Sequence, residues 1–237
     1  MDWAKERIRG TALERPARLL VRLARDRKAV SYDIETLLVM RRVLRPDSVC
    51  VDVGAHQGDI LKEMLRLAPN AAHHAVEPLP DFAAILRRFP VTVHEVAASD
   101  QEGESDFAYV PSAPAYSGFR QRSDVSEAVT IRVRTARLDD LVDRADFIKI
   151  DVEGAELRVF GGAGRLLRQR PYVVFEHGPV GAGAYGTRPE EVFDLLASHG
   201  LHVSLMTRWL TRRAALTRQG FTAQFDGHRN YYFLAHP

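Results

Sequence analysis

Apolar positions along this chain change period repeatedly, from short unbroken runs to the 3.6-residue spacing of helices. Val49, Cys50, Val51 and Val53 form a run too short for a helix and suited to a strand buried on both faces. The run breaks at Gly54-Ala55-His56-Gln57-Gly58. Ile60, Leu61, Met64, Leu65 and Ala68 then recur at helical spacing until Pro69-Asn70. Residues 71–76 predict a second strand, ending on Glu77-Pro78. Asp81 is placed to cap a helix reaching about Arg88, and residues 91–96 alternate like a third strand. Glu102-Gly103-Glu104 has turn composition. Residues 107–110 and 129–133 predict two strands joined by an irregular loop, 111–127. Asp139-Asp140 falls in a short helical turn, and Phe147-Ile148-Lys149-Ile150 is the fourth strand. Residues 155–168 predict one amphipathic helix, 171–175 a fifth strand, and 181–186 a flexible glycine-rich loop. Pro189 opens a helix running to Ser198, and 201–205 and 231–234 are the last strands.

The alternation predicts a doubly wound α/β sheet with its site at the carboxyl ends of the strands. Before it lies a helical stretch, with Leu13, Leu19, Leu20 and Leu23, then Ile34, Leu37, Leu38 and Met40, stopped by Pro46-Asp47. The chain therefore divides into an N-terminal helical extension, 1–46, and an α/β domain, 47–237. The extension suits a cover for the cleft, a dimer contact or a cap on the sheet, and the pattern leaves these three open.

Composition narrows this picture only in places. At 237 residues and 46% hydrophobic, the chain is long enough for one large α/β domain with a full core. A formal charge of +2 is too small to imply a nucleic acid or other polyanionic partner. Cys50 is the single cysteine and sits inside the first apolar run, as an inert core thiol would in a reducing compartment. No apolar run is long enough to span a bilayer, and Met1-Asp2-Trp3-Ala4-Lys5 lacks a secretory core, so a cytoplasmic location is expected.

The candidate chemistry gathers at strand ends: Asp52, Glu77, Asp100, Asp151 and His177. Gly54 and Gly58 allow a tight turn and close approach to a ligand. Glu77 stands 19 residues after Gly58, the spacing at which an acid accepts hydrogen bonds from ribose hydroxyls. The loop lacks the close-set G-x-G that seats a pyrophosphate. Asp52, two residues before the first glycine, repels phosphate and attracts a cation. S-adenosylmethionine fits both requirements, having a ribose, an α-ammonium and a sulfonium but no phosphate.

The segments Asp52-Val53-Gly54-Ala55-His56-Gln57-Gly58, Glu77-Pro78, Ala98-Ser99-Asp100 and above all Ile148-Lys149-Ile150-Asp151-Val152-Glu153-Gly154-Ala155-Glu156 resemble the FkbM-type S-adenosylmethionine-dependent methyltransferases. The likeness covers roughly Arg45 to His177, and the IKIDVEG segment is its most specific part. It implies a class I methyltransferase (Rossmann-like) sheet of seven strands with the last antiparallel. It also implies O-methylation of a hydroxyl on a sugar, glycoside or polyketide-type secondary metabolite. Cofactor contacts are then expected at Asp52, Gly54, Ala55, His56, Gly58, Glu77, Pro78, Ser99, Asp100 and Asp151. The loop holding Tyr116 and Ser117 matches nothing in the family, which makes these residues candidates for the acceptor, along with Glu153 and His177.

Methyl transfer to a hydroxyl calls for a base or a metal near the oxygen. His177 is the simplest base, with an ordinary pKa of about 6.5, unless it is only a strand-end histidine held by hydrogen bonds. Asp151 and Glu153 suit cofactor binding, base catalysis, or ligation of Mg2+ through oxygen; their alternative is to cap the helix that follows. The histidines at 56, 73, 74 and 94 have no zinc-like spacing. A nucleotide-linked oxidoreductase is disfavoured by the G-x-x-x-G loop, and an amino-methylating nucleic-acid enzyme by Asp-Val-Glu-Gly where Asn/Asp-Pro-Pro-aromatic would stand. A cofactor-binding subunit without catalysis is the alternative from another class.

Overall fold

The computed structural model describes residues 27–125 and 127–237. The predicted helical stretch around Leu13 to Leu23 lies outside them. Helix α1 (Arg27–Val43) leads into β1 (Cys50–Val53), α2 (Asp59–Leu67), β2 (His74–Val76), α3 (Pro80–Leu86) and β3 (Thr92–His94). Next come β4 (Ala97–Ala98), β5 (Gly103–Tyr109), a 3-10 turn (Pro114–Tyr116), β6 (Val129–Ala136), α4 (Leu138–Leu141) and β7 (Phe147–Ile150). The chain continues through α5 (Glu156–Gly161), α6 (Gly164–Leu167), β8 (Tyr172–Glu176), α7 (Pro179–Tyr185), α8 (Pro189–Ser198), β9 (His202–Ser204), α9 (Met206–Leu210), α10 (Arg218–Asp226) and β10 (Tyr232–His236).

Seven strands form one sheet in the order β3-β2-β1-β7-β8-β10-β9. All run parallel except β10, which is antiparallel to both β8 and β9. This is the class I methyltransferase arrangement. After β1 the chain winds outward to β3, then returns to the other side of β1 through β7, so a crevice opens beyond the ends of β1 and β7. A second sheet, β4-β6-β5, is inserted between β3 and β7 and stands over that crevice.

Strand alternation divides the core in two. Val51, Val53, Ile148, Ile150, Phe175 and Phe233 face α5, α6, α8 and α10. Cys50, Phe147, Val174 and Leu234 face α1, α2 and α9. Both faces of β1 and β7 are sealed, which explains their unbroken apolar runs. Among the described residues no helix is long and apolar enough to cross a membrane.

Four local expectations are corrected. Gly103 and Glu104 are the first residues of β5 rather than a turn. Helix α3 starts at Pro80 after Leu79, and Asp81 lies in its first turn without capping it. The single helix expected over 155–168 is two, α5 and α6, broken at Gly162-Ala163. A Cβ on Gly162 would stand 2.0 Å from Ser99 O, so close packing against the β4 end fixes that break. The glycine-rich stretch 181–186 is not a loop. It forms most of α7, opened by Pro179 and closed by Gly186 in the left-handed region at φ 67°.

Candidate active site

The loop after β1 turns at Gly54, φ 73°, where a Cβ would stand 1.9 Å from Asp151 O. Only glycine lets β1 and β7 end this close together. His56 follows at φ 48°, and its N–H donates to Glu77 Oε2 at 2.9 Å. The Leu79 N–H donates to Glu77 Oε1 at 3.0 Å. Two backbone bonds thus aim the Glu77 carboxylate from the tip of β2. Burial raises its pKa and these bonds oppose the rise.

Glu77 lies on the wall of a cavity of about 110 Å3, or about 690 Å3 counted through its open mouth. Gly54, His56 and Pro78 line it beside Glu77, and Val76, Leu79, Val96 and Ala97 supply apolar wall. The inserted sheet and the loop from β5 to β6 add Phe107, Pro114, Ala115, Ser117 and Phe119. Asp151, Val152 and Glu153 complete it from the end of β7.

Below this cavity runs a line of ionisable groups set by strand register. Asp52 pairs in register with Lys149, and Tyr232 with Glu176. Lys149 Nζ lies 3.8 Å from Asp52 Oδ1 and 3.2 Å from Asp151 Oδ2, and donates to Gly54 O at 3.3 Å. Tyr232 donates its hydroxyl to Asp151 Oδ2 at 2.6 Å. Burial alone would raise Asp151, but Lys149 above all, with Glu176 and Tyr232, brings it down to about 2. Burial, followed by the charge of Asp151, pushes Glu176 far above the usual carboxylate range, and its carboxyl donates a hydrogen bond to the Asp151 carboxylate. Asp52 is fully buried and its pKa rises with that burial, Lys149 opposing.

Glu153 stands apart from this line. Its backbone is left-handed at φ 57°, followed by Gly154 at φ 106°. Its carboxylate pairs with Arg122 from the loop between β5 and β6, and both side chains are nearly covered. Arg122 is held in turn by Asp124, at 2.9 and 2.7 Å, and lies 4.7 Å from the Tyr116 ring centre. Burial and the neighbouring Asp151 push Glu153 up to about 8 against the pull of Arg122.

The expected site residues therefore divide. Gly54, His56, Glu77, Pro78, Ser117, Asp151 and Glu153 line one cavity. Asp52 lies beneath its floor, accepting the Leu61 N–H of α2, and acts on the site through Lys149. Ala55 and Gly58 shape the loop without lining the cavity, Gly58 by opening α2 at φ 78°. Ser99 and Asp100 lie outside it, bonded to each other at 3.0 Å. Tyr116 is 46% exposed and supports Arg122 rather than facing the cavity.

His177 is the main correction. It is fully buried, off the cavity wall, with its ring 4.9 Å from that of Phe225 and 6.0 Å from that of Phe221. It follows Glu176 by one residue, and alternation sends the two side chains to opposite faces of the sheet. An acceptor hydroxyl in the cavity does not meet this imidazole.

Lys149, Glu176, Tyr232 and Arg122 join the site beyond the expected residues, and no local pattern places the last three there. Lys149 carried a signal, since a lysine within an apolar strand is rarely buried without a partner. Glu176 and Tyr232 join only through register, and Arg122 through a contact spanning 31 positions.

Among the described residues, Asp151, Glu153 and Glu176 form a group whose oxygens approach within 4.8 Å of one another, the expected spacing for a cation. Here Lys149 and Tyr232 already serve Asp151, and Arg122 serves Glu153.

Comparison with known proteins agrees with this architecture. The family model for the methyltransferase FkbM domain matches residues 52–203. The chain is 30% identical over 212 residues to the AMB antimetabolite synthetase AmbE of Pseudomonas aeruginosa, covering 69% of this chain and only 10% of that protein. It is 28% identical over 183 residues to the 2-O-methyltransferase NoeI of Sinorhizobium fredii, covering 66% of this chain and 75% of that one. The crystal structure of methyltransferase FkbM from Methylobacillus flagellatus KT matches with a TM-score of 0.51 and 18% identity, over 83% of this chain and 45% of the other, a likeness of fold.

Proposed function

The chain belongs to the FkbM methyltransferase family, and we propose that it transfers a methyl group from S-adenosylmethionine to a hydroxyl of a small-molecule acceptor, with Glu153 as the base. The supporting observation is a single cavity with both Glu77 and Glu153 on its wall. The donor set suits the cofactor. Glu77 has acceptor lone pairs beyond its two backbone bonds, as a ribose diol requires. Val76, Leu79, Val96 and Phe107 offer an apolar slot for a flat base, and ionised Asp151 suits a cationic group. The name of the relative NoeI supports a hydroxyl acceptor, and a sugar, glycoside or polyketide-type metabolite is the class we favour.

When bound, the cofactor supplies an electrophilic methyl carbon. This chain's own residues do the rest. Asp151, fixed by Lys149 and Tyr232, holds a steady negative charge beside the reacting groups. Glu153, with a pKa near the operating pH, takes the hydroxyl proton as the oxygen attacks. Phe119 adds apolar wall from the inserted loop and Arg122 anchors that loop to Glu153, which helps hold the acceptor at attack distance. The test is transfer of labelled methyl to a panel of hydroxylated metabolites. A folded protein that binds the cofactor and labels nothing would point to the non-catalytic binding role instead.

Two smaller results are expected. Glu77→Ala should weaken cofactor binding by about 1–3 kcal/mol, the range for a hydrogen bond to a charged partner. Calorimetry showing unchanged affinity in the folded variant would remove Glu77 from the ribose site. Turnover should also survive a chelator, because Lys149 and Tyr232 engage Asp151 through Oδ2 and Arg122 engages Glu153 through Oε2, cations and a hydroxyl standing where Mg2+ would compete. Activity lost in chelator and restored by Mg2+ would replace these contacts with a metal mechanism.

A further inference from the structure

Behind the Glu153 turn lies a sealed pair of ionisable groups that the reaction does not touch. Glu156 and His177 are both fully buried. Glu156 Oε1 accepts the Gly154 N–H at 2.9 Å. Its Oε2 lies 3.5 Å from His177 Nδ1, and among the described residues neither that oxygen nor either ring nitrogen has another hydrogen-bond partner. His177 is itself tethered, its N–H donating to Tyr231 O at 2.7 Å.

A cap for α5 does not require this arrangement. Any short polar side chain open to water caps a helix, whereas sealing a carboxylate and an imidazole among phenylalanines is costly. The bond to Gly154 falls where the backbone is least free to choose. Glu153 and Gly154 are consecutive left-handed residues, and a side chain in that region persists only when its surroundings impose it. Helix α7 crowds the same turn, since a Cβ on Gly154 would stand 2.3 Å from Gly181 O.

We propose that Glu156, backed by His177, is a positioning residue of the active site: its carboxylate holds the Gly154 N–H and so fixes the left-handed turn that presents Glu153 to the cavity. The inference rests on the reading of Glu153 as the base. The charge of Glu156 also bears on Glu153, together with Asp151 at the β7 end, Arg122 from the inserted loop and Glu176 from β8, and Tyr185 of α7 faces Glu156 itself.

Single-turnover rate against pH, at saturating cofactor, separates the possibilities. Glu156→Gln keeps an acceptor for Gly154 and loses the charge. Its plateau rate should stay within about threefold of wild type while the midpoint of the rise moves acid by roughly half a pH unit or more. Glu156→Asp keeps the charge but pulls the oxygen back by one methylene, so the midpoint should stay and the plateau should fall about tenfold or more. A merely structural role would lower the melting temperature of both variants and leave midpoint and plateau alone. That outcome overturns the proposal, and the Asp variant decides it if the Gln variant does not fold. Glu153→Gln is the control. If it keeps the wild-type profile, the base reading itself falls. If it is inactive while both Glu156 variants match wild type, only the positioning role falls.

Discussion

Glu153→Gln should leave a folded protein that still binds the cofactor but turns over about 10²–10⁴-fold more slowly, the range for losing a positioned general base. The substitution preserves shape and a hydrogen bond toward Arg122, which keeps its pair with Asp124, so cofactor affinity should move little. The pH dependence makes the result specific. A base acts only when deprotonated, and burial beside Asp151 raises Glu153 to about 8. Wild-type single-turnover rate should therefore climb through that region and level off above it. In the Gln variant the climb should vanish along with most of the rate. Asp151 is the rival base, and its pKa of about 2 makes a contrary forecast. Were Asp151 taking the proton, the rate would be flat from pH 5 to 9. A folded Glu153→Gln protein with wild-type rate and a flat profile would transfer the role to Asp151.

The way in which the sequence succeeded and failed follows from how strands are built. The short apolar runs at 49–53 and 147–150 declared themselves because both faces of β1 and β7 are covered. The glycines after β1 and the acid after β2 were legible because one β-loop-α-β unit contains them. Strand-end position alone, without parity, points His177 to the wrong face. Glu176 and His177 are neighbours, and a strand cannot aim neighbours at one cleft. Counted in twos, Lys149 and Asp151 share a face, and the register with β8 and β10 adds Glu176 and Tyr232 to it. That register is a tertiary fact that no local pattern states. The roof was hidden for a similar reason. Arg122 reaches Glu153 only because the inserted sheet folds back over the crevice, and the loop that carries it has no periodicity to read. The glycine-rich α7 misled in the opposite direction. Gly181 marks close packing on the Glu153-Gly154 turn, where a Cβ on it would stand 3.1 Å from Glu153 C, while a Cβ on Gly183 would meet open space.

Lys149→Met should destabilise the protein by about 3–5 kcal/mol at pH 7, the cost of removing one partner from a buried ion pair. Methionine fills the volume of the lysine stem, so the loss isolates the ammonium rather than a cavity. That ammonium lies between two acids, Asp52 with 1% of its side chain exposed and Asp151 with 25%. It also donates to Gly54 O, tying the sheet's charges to the cofactor loop. The direction with pH can be worked out from Asp151. Its folded pKa, about 2, is depressed below the ordinary 3.8, so its contribution is full above 3.8 and fades as pH falls toward 2. Without Lys149 that depression disappears, and burial drives both Asp52 and Asp151 upward. The variant then takes up protons on folding in mildly acidic solution, and its deficit relative to wild type should shrink from pH 7 to pH 4.5. Urea denaturation at those two values measures it. A deficit equal at both would mean that packing, not charge, is what Lys149 supplies. No deficit at pH 7 would mean that Asp52 and Asp151 are already neutral there. Cofactor affinity should fall as well, since Gly54 loses the donor that fixes its carbonyl, and calorimetry on the folded variant at pH 7 reads that second loss separately.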